Sequence, residues 1–227
     1  MARGSRQLEL RPRTWGGHRP GAGRKPSGRR VGVPHRVRPP HQGRHPAHVT
    51  LRARRPLPSL RGDLIFGALR RGLARGSRRG LRILQFSVQR DQVHLLVEAE
   101  DRHALSRGLQ GLTIRLAKAV NRVLGRRGGV WGDRYHLRAL GTPREVRRAL
   151  VYVLQNFRKH VPGTRGLDPC SSAAWFDGWA RAIPVTVAPA PVARARTWLA
   201  AVGWRRLGLI GAGETPAVTV NLRKETS

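Results

Sequence analysis

The sequence has one cysteine, few acidic residues and no long apolar run, and each shortage excludes a class of protein. Cys170 has no partner for an intramolecular disulfide, and it cannot by itself build a cysteine-based zinc site. Such a composition suits a reducing cytosol. Residues 1–17 contain no apolar core of signal-peptide length, and no later segment approaches a membrane span. We therefore expect a soluble, cytoplasmic, bacterial protein.

The shortage of acidic residues is the strongest bias. Only 12 Asp and Glu oppose 45 Lys and Arg, which gives a formal net charge of +33. Four of the basic residues are lysines, and an arginine excess of this kind also arises from the codons of a GC-rich genome. A surface this basic binds polyanions, and arginine suits phosphate because its planar fork donates two parallel hydrogen bonds. We predict a nucleic-acid-binding, nucleoid-associated protein with no small-molecule substrate.

Composition divides the chain into three parts. Residues 1–44 are rich in Arg, Gly and Pro without apolar periodicity, which predicts a disordered basic arm. Within the arm, Arg24 and Lys25 are candidate DNA contacts, because a flat cationic segment fits a narrow minor groove. A solvated basic arm without such contacts is the alternative. Residues 45–160 carry regular apolar patterns and predict the folded domain. Residues 161–227 contain tryptophans and predict short helices followed by a disordered end.

The apolar patterns of the central part predict seven elements. They are a strand over 45–53, a helix over 59–76, strands over 81–89 and 92–99, a helix over 101–124, a strand over 130–140 and a helix over 142–160. The order β-α-β-β-α-β-α is typical of the ferredoxin-like, split β-α-β fold. We therefore expect an α+β protein with four antiparallel strands, two helices on one face and an open second face.

The strand over 92–99, "QVHLLVEA", places a histidine among apolar residues. Because side chains alternate along a strand, Gln92 and His94 point away from the valines and leucine of the core face. The alternation therefore puts His94 on the open face. There it is either a polar residue of a half-solvated sheet or a metal ligand.

The last predicted helix, over 142–160, has two stripes. Its apolar stripe repeats at three- and four-residue steps, and a polar stripe beside it carries Arg148, Tyr152, Asn156 and Lys159. Tyr152 and Asn156 are one turn apart, so both can reach one point. A tyrosine at the edge of an amphipathic helix, with its ring half-buried, is the alternative interpretation.

Four segments resemble a known family in their order and spacing. They are "HVTLR", "VQRDQVHLLVE", "GGVWGDRYHLRAL" and "REVRRALVYVLQN". Together they are similar to the single-tyrosine HUH transposases, and more narrowly to the IS200-like and REP-associated tyrosine transposases of bacteria. The resemblance covers about residues 45–160. It implies a ferredoxin-like transposase domain, acting as a homodimer, that cleaves and rejoins single-stranded DNA hairpin ends.

The resemblance also implies roles for individual residues. Tyr152 would be the nucleophile, becoming linked to a 5′-phosphate and freeing a 3′-OH. His94 would be the second histidine of the family's His-hydrophobic-His pair, and Asn156 would be a further ligand of a Mg²⁺ or Mn²⁺ ion that polarises the phosphate. Gln92 stands where the family has its first histidine, and an amide oxygen there is a weaker ligand. Glu98 is a marginal substitute, since it lies two strand steps beyond His94.

The expected DNA contacts beside these residues lie on the first strand and the last helix. They are His48, Arg52, Arg148 and Lys159, in addition to the two cations of the arm. We expect these side chains to bind DNA beside the predicted site.

Two other functions remain open from the sequence. One is a degenerate or domesticated relative that binds DNA or structured RNA without cleavage. RNA-binding sheets usually carry stacked aromatic residues, whereas Phe86 is the only aromatic residue of the central hairpin and alternates with core residues. The other is an architectural DNA binder dominated by the basic arm. That function leaves the pairing of Tyr152 with Asn156 without a role.

Overall fold

A computed structural model describes residues 40–78, 80–159, 166–182, 186 and 188–216. Arg24 and Lys25 lie outside the described residues. The central elements follow the expected order: β1 (Ala47–Arg52), α1 (Asp63–Ala74), β2 (Leu81–Val88), β3 (Gln92–Ala99), α2 (Arg102–Val123), β4 (His136–Ala139) and α3 (Pro143–Gln155). In the part of the chain that the structure describes, no helix is long and apolar enough to cross a membrane.

The four strands form one antiparallel sheet in the order β2-β3-β1-β4. The first strand of the sequence is therefore central, and it pairs with both β3 and β4. This strand order, with α1 and α2 as the two crossover connections, defines the ferredoxin-like split β-α-β arrangement. The predicted α+β fold class is confirmed.

One face of the sheet packs against α1 and α2. Its core residues include Val93, Leu95 and Val97 of β3, which are fully buried, as the alternation along the strand predicts. The two helices lie close together at Gly72, where an added Cβ would be 2.7 Å from Leu116 Cδ2. Each buried leucine or valine side chain contributes about 1.5–3 kcal/mol. This face therefore supplies much of the stability of the fold.

The second face of the sheet is covered, and the expectation of an open face is wrong. The third helix, α3, and the C-terminal extension pack on it in a separate apolar cluster. That cluster includes Leu84, Leu96, Val146, Leu150, Leu154 and Trp204. The physical reason lies in β3 itself, because Leu96 points to this face and needs an apolar partner. The apolar stripe of α3 meets the same need, so the two surfaces bury each other.

The start of α3 agrees with the bound predicted from the sequence, and its end does not. Thr142 caps the helix by accepting a hydrogen bond from Glu145 N at 3.2 Å, while Glu145 Oε2 accepts one from Gly141 N at 2.9 Å. This reciprocal cap agrees with the predicted start. The α-helix ends at Gln155, and Asn156–Lys159 continue as a 3₁₀ turn. The buried amide of Gln155 donates a hydrogen bond to Ala212 O at 3.0 Å, which ties α3 to the extension.

Two other elements are shorter than the sequence pattern predicts. The first helix begins at Asp63 and not at residue 59, because Ser59 and Gly62 close a turn with a 3.2 Å backbone hydrogen bond. The fourth strand has four residues, His136–Ala139. The residues before it form an isolated bridge, Ala53 with Trp131, just beyond the end of β1, where Gly132 N donates to Arg52 O at 2.9 Å.

Ordered contacts begin before residue 45. His41 Nε2 lies 3.2 Å from Ala99 O. Gly43 passes so close to Glu100 that an added Cβ would be 2.3 Å from its carbonyl oxygen. Only glycine fits at that approach. Residues in the range 40–44 therefore contact the end of β3, although the sequence predicts that the disordered arm extends to residue 44.

The C-terminal extension lies along the outer edge of β2. Val88 N donates to Cys170 O at 2.8 Å, Ser172 N donates to Phe86 O at 2.9 Å, and Ala193 N donates to Ile83 O at 2.8 Å. These bonds satisfy backbone groups that an edge strand would otherwise expose. The extension contains the expected short helices: 3₁₀ turns at Ala173–Trp175 and Gly203–Leu207, and a one-turn helix, α4 (Trp198–Ala201).

Glu98 anchors the extension and is not placed as a metal ligand. Its carboxylate is 2% exposed, pairs with Arg82, and accepts hydrogen bonds from Arg196 N, Thr197 N and Thr197 Oγ1. Burial by itself raises the pKa of this carboxyl, but the hydrogen bonds from Arg82 and Thr197 outweigh burial and bring the pKa below its ordinary value. Its oxygens are thus occupied by protein donors, which removes the expected role as a marginal ligand.

Candidate functional site

Three rings meet between the sheet and α3. The ring centroids of His94 and Tyr152 are 5.1 Å apart with perpendicular planes, and those of His48 and Tyr152 are 5.4 Å apart. The two imidazole centroids are 5.6 Å apart, with planes inclined by 24°. We call His48, His94 and Tyr152 the ring cluster. The structure therefore brings a phenol from a helix against imidazoles from two neighbouring strands.

The register of the sheet explains why the two histidines are close. Thr50 lies opposite His94, and His48 lies opposite Leu96, so the histidines are diagonal neighbours on one face. Thr50 Oγ1 is 3.1 Å from His94 Nδ1, and this hydrogen bond orients the imidazole ring. On the other side of β1, His136 lies opposite Thr50 and is exposed. Sequence alone does not reveal this convergence, because His48 and His94 belong to strands paired only in the folded sheet.

Burial around the site differs from residue to residue. His94 is 2% exposed and Asn156 is 3% exposed, whereas Tyr152 and Gln92 are partly exposed. The half-solvated environment expected for His94 is therefore wrong, because α3 covers that part of the sheet. Asn156 follows Tyr152 by one turn, and Gln92 lies at the end of β3 opposite Arg52. The cluster thus combines one fully buried histidine, His94, with two partly exposed rings, His48 and Tyr152.

Burial sets the protonation states of His48 and Tyr152. Burial, and secondarily the positive charge of Arg138, lower the pKa of His48 to about 4. Burial raises the pKa of Tyr152. At neutral pH the imidazole is neutral and the phenol keeps its proton. Proton transfer from Tyr152 to His48 is therefore unfavourable, which makes His48 a poor general base. A neutral imidazole is instead suited to share its lone pair with a cation.

The residues predicted as ligands are of types that a divalent cation accepts. His94 offers an imidazole, and Asn156 and Gln92 offer carboxamide oxygens. His48 Nε2 is buried and has no hydrogen-bond partner among the described residues, an arrangement that a bound ion would relieve. Across the described ranges, no group of three or more His, Cys, Asp or Glu is placed to hold a metal. Any ion here would therefore use a mixed set of imidazoles and amides.

The structure places the predicted DNA contacts in different settings. Arg148 on α3 is exposed. Arg52 is also exposed, and its guanidinium lies 3.7 Å from the Asp91 carboxylate. Lys159 has its backbone in the 3₁₀ turn after α3, but its side chain lies outside the description. His48 is partly exposed, its Nε2 atom is buried, and its ring belongs to the ring cluster.

The helix-covered side of the sheet carries a cationic groove that the sequence does not predict. It lies between α1 and α2, has a volume of about 410 Å³, and contains no acidic side chain in its lining. Its cations are Arg71, Arg75, Arg115, Lys118 and Arg122. The signal was present in the sequence, because these residues recur at three- and four-residue steps along each helix. What the sequence does not reveal is that the two basic stripes face each other.

Fold and site together define a ferredoxin-like α+β protein with a tyrosine-histidine cluster between its sheet and third helix. Comparison of the sequence with protein-family models and with curated proteins finds no match. The structure is similar to that of a REP-associated tyrosine transposase bound to a REP hairpin, with 18% sequence identity, a TM-score of 0.47, and coverage of 57% of this chain and 75% of that one. It is also similar to a protein described as a transposase from Deinococcus radiodurans R1, with 17% identity, a TM-score of 0.37, and coverage of 49% and 87%.

Proposed function

We propose that the protein is a DNA transposase of the REP-associated tyrosine type, which cleaves and rejoins single-stranded DNA through a covalent phosphotyrosine. The observation that carries this proposal is the meeting of Tyr152 with His94 and His48 at 5.1 and 5.4 Å between ring centroids. A nucleophile beside candidate metal ligands is what phosphodiester transfer requires. The net charge of +33 adds a general affinity for nucleic acid.

The chemistry of the step follows from the phenol. Tyr152 Oη attacks the phosphorus of a phosphodiester, and the bond between phosphorus and the 3′ oxygen breaks. The phenol loses its proton, and the leaving 3′ oxygen takes up a proton to become a 3′-OH. The DNA is then held by a tyrosine-phosphate bond at its 5′ end. A second 3′-OH can reverse the reaction, so bond energy is retained and no ATP is needed.

The remaining residues of the proposed site would bind the metal ion and orient the DNA. His94 and Asn156 would hold a Mg²⁺ or Mn²⁺ ion, with Gln92 as the expected third donor, and such an ion would supply polarisation of the scissile phosphate. Arg148, Lys159 and Arg52 would hold the DNA backbone near the phenol. The homodimer, the nucleoid location and the basic arm with Arg24 and Lys25 remain predictions.

A non-cleaving DNA-binding relative is the second candidate. Two observations favour it: the amide of Gln92 is a weak ligand where the family has an imidazole, and burial raises the pKa of Tyr152, which opposes the nucleophilic phenolate. Such a protein would have the same fold and positive charge and would bind DNA without cleaving or rejoining it.

One assay separates the two candidates. Full-length protein is incubated with 5′- and 3′-labelled DNA hairpins from the flanks of its gene, with Mn²⁺ or Mg²⁺. We expect a DNA-linked species that survives denaturing electrophoresis and carries the label on the 3′ side of the cut, since the tyrosine holds the 5′-phosphate. Tight hairpin binding without any covalent species would instead support the non-cleaving relative.

The cationic groove between α1 and α2 leads to a separate prediction. Three phosphate contacts there would contribute about 0.7 each to the slope of log affinity against log salt concentration for single strands. Replacing three of its arginines by glutamine should therefore reduce that slope by about 2, as measured by fluorescence anisotropy of a labelled single-stranded oligonucleotide. The variant is Arg71→Gln, Arg75→Gln and Arg115→Gln together.

The control for the groove uses exposed arginines of the same helices that do not line it. It combines Arg70→Gln, Arg102→Gln and Arg107→Gln, which remove the same charge. This control should keep a slope close to that of the wild type. Equal loss of slope in both triple variants would show that only net charge matters and that the groove holds no DNA.

A further inference from the structure

The strand β3 has Gln92 where the resemblance expects a histidine, and the neighbouring strand β1 provides a histidine, His48, near His94. Position 92, where the family resemblance expects a histidine, holds an amide at the partly exposed end of the strand. His48 on β1 lies diagonally across from His94, with ring centroids 5.6 Å apart, and also 5.4 Å from the Tyr152 ring. The second imidazole beside the phenol therefore comes from the neighbouring strand.

The Nε2 atom of His48 is the strongest sign of a ligand. It is buried without a hydrogen-bond partner in the described part of the chain. An unsatisfied buried polar atom costs about 1–3 kcal/mol, so such atoms in folded proteins usually have a function or a missing partner. A cation bound at this nitrogen would supply the partner.

The distance between the rings agrees with a shared ion. A metal-nitrogen bond is about 2.1 Å, so two imidazoles on one ion have ring centres roughly 4.5 to 6.5 Å apart. The observed 5.6 Å between His48 and His94 falls within that range. The hydrogen bond between Thr50 Oγ1 and His94 Nδ1 is of the kind that orients metal-binding histidines through the opposite nitrogen.

We infer that His48 is a metal ligand, which together with His94 forms a two-imidazole site for a divalent transition-metal ion and takes the place of the histidine absent at Gln92. This inference rests on the proposed transposase function for the use of the ion. Two imidazoles favour transition metals over Mg²⁺, whose preferred ligands are oxygens. Gln92 then has at most an auxiliary role.

The test counts imidazole nitrogens on a bound ion. Full-length protein is loaded with Mn²⁺ and studied by pulsed electron paramagnetic resonance, which detects ligating nitrogens directly. We expect two imidazole nitrogens in the wild type and in Gln92→Ala, and one in His48→Gln. Loss of the ligand should weaken Mn²⁺ binding at least about tenfold in His48→Gln, while Gln92→Ala changes it by less than about twofold.

Controls guard against unfolding and against a neighbouring histidine. His103→Gln, exposed on α2, should change neither the nitrogen count nor the affinity. Adding Gln92→His to His48→Gln should restore the second nitrogen, which would also show that the fold is intact. A single nitrogen in the wild type would overturn the inference. So would a second nitrogen that disappears in His136→Gln and persists in His48→Gln.

The covalent-adduct assay separates failure of this inference from failure of the proposed function. If the wild type binds Mn²⁺ through His48 and forms no adduct, the inference that His48 is a metal ligand stands and the proposed cleavage is refuted. If the wild type forms the adduct and the His48→Gln variant binds Mn²⁺ with unchanged affinity, only the inference that His48 is a metal ligand is refuted.

Discussion

Replacing Tyr152 with phenylalanine is expected to abolish the covalent adduct while leaving the fold and DNA binding unchanged. The ring still fills the space beside His94 and His48, because only the hydroxyl is removed. Without Oη nothing can attack the phosphorus, so we expect adduct formation to fall by at least about 1,000-fold, as when other nucleophiles are removed. The measurement is the yield of DNA-linked protein after denaturing electrophoresis.

The chain contains its own matched control for this result. It has two tyrosines, and the other, Tyr135, packs against the opposite core. Tyr135→Phe removes the same atom from a partly buried ring and should form the adduct at the rate of the wild type. An adduct that persists in Tyr152→Phe and disappears in Tyr135→Phe would reassign the nucleophile. Persistence in both variants would exclude a tyrosine mechanism.

Replacing Glu98 with glutamine is expected to destabilise the folded protein far more than replacing a carboxylate of an exposed ion pair. The carboxylate is buried, pairs with Arg82 and accepts hydrogen bonds from Arg196 and Thr197 of the extension. A glutamine has one oxygen for these donors and leaves the guanidinium without its charge partner. Breaking a buried pair from one side costs several kcal/mol, so we expect the free energy of unfolding to fall by about 2–4 kcal/mol. Urea unfolding followed by tryptophan fluorescence measures it.

The control for Glu98 is an exposed ion pair. Asp177 pairs with Arg205, and its side chain is 83% exposed. Asp177→Asn should cost less than about 1 kcal/mol, because water screens the pair. Equal destabilisation by the two changes would mean that Glu98 does not anchor the extension.

Acid should remove the contribution of Glu98. Its folded-state pKa lies below the ordinary value of 4.5, so its stabilising effect is complete above pH 4.5 and is lost as the pH falls through the folded-state pKa. The difference in stability between the wild type and Glu98→Gln should therefore shrink below pH 4.5. A difference that stays constant down to pH 3 would contradict the role of the carboxylate charge.

The central elements were predictable because local patterns decide them. The alternation around Val93 and the apolar stripe of α3 each identify one buried face, and the Thr142 cap identifies a helix start. From the element order, the strand order of the ferredoxin-like sheet follows with few alternatives. The same patterns overestimated β4, because a strand needs a partner along its whole length and β1 offers one only at His136–Ala139.

The candidate site was predictable only in part. The faces of β3 and α3 predict that His94 and Tyr152 face each other, and the structure brings their rings together. The covering of the second face was not predictable, because the partners of Leu96 come from α3 and from the distant extension. That covering also changes the electrostatics, since burial lowers the pKa of His48 and raises that of Tyr152.

The sequence by itself determined the fold class, the basic character and the residue types available for chemistry, because composition and periodicity are properties of the chain. Only the tertiary structure decided which of these residues meet. His48 joins His94 because β1 pairs with β3 in one register, and a shift by one residue would turn His48 to the other face. The basic stripes of α1 and α2 likewise become a groove only when the helices pack side by side. Proximity between distant residues depends on strand pairing and helix packing, which no local pattern encodes.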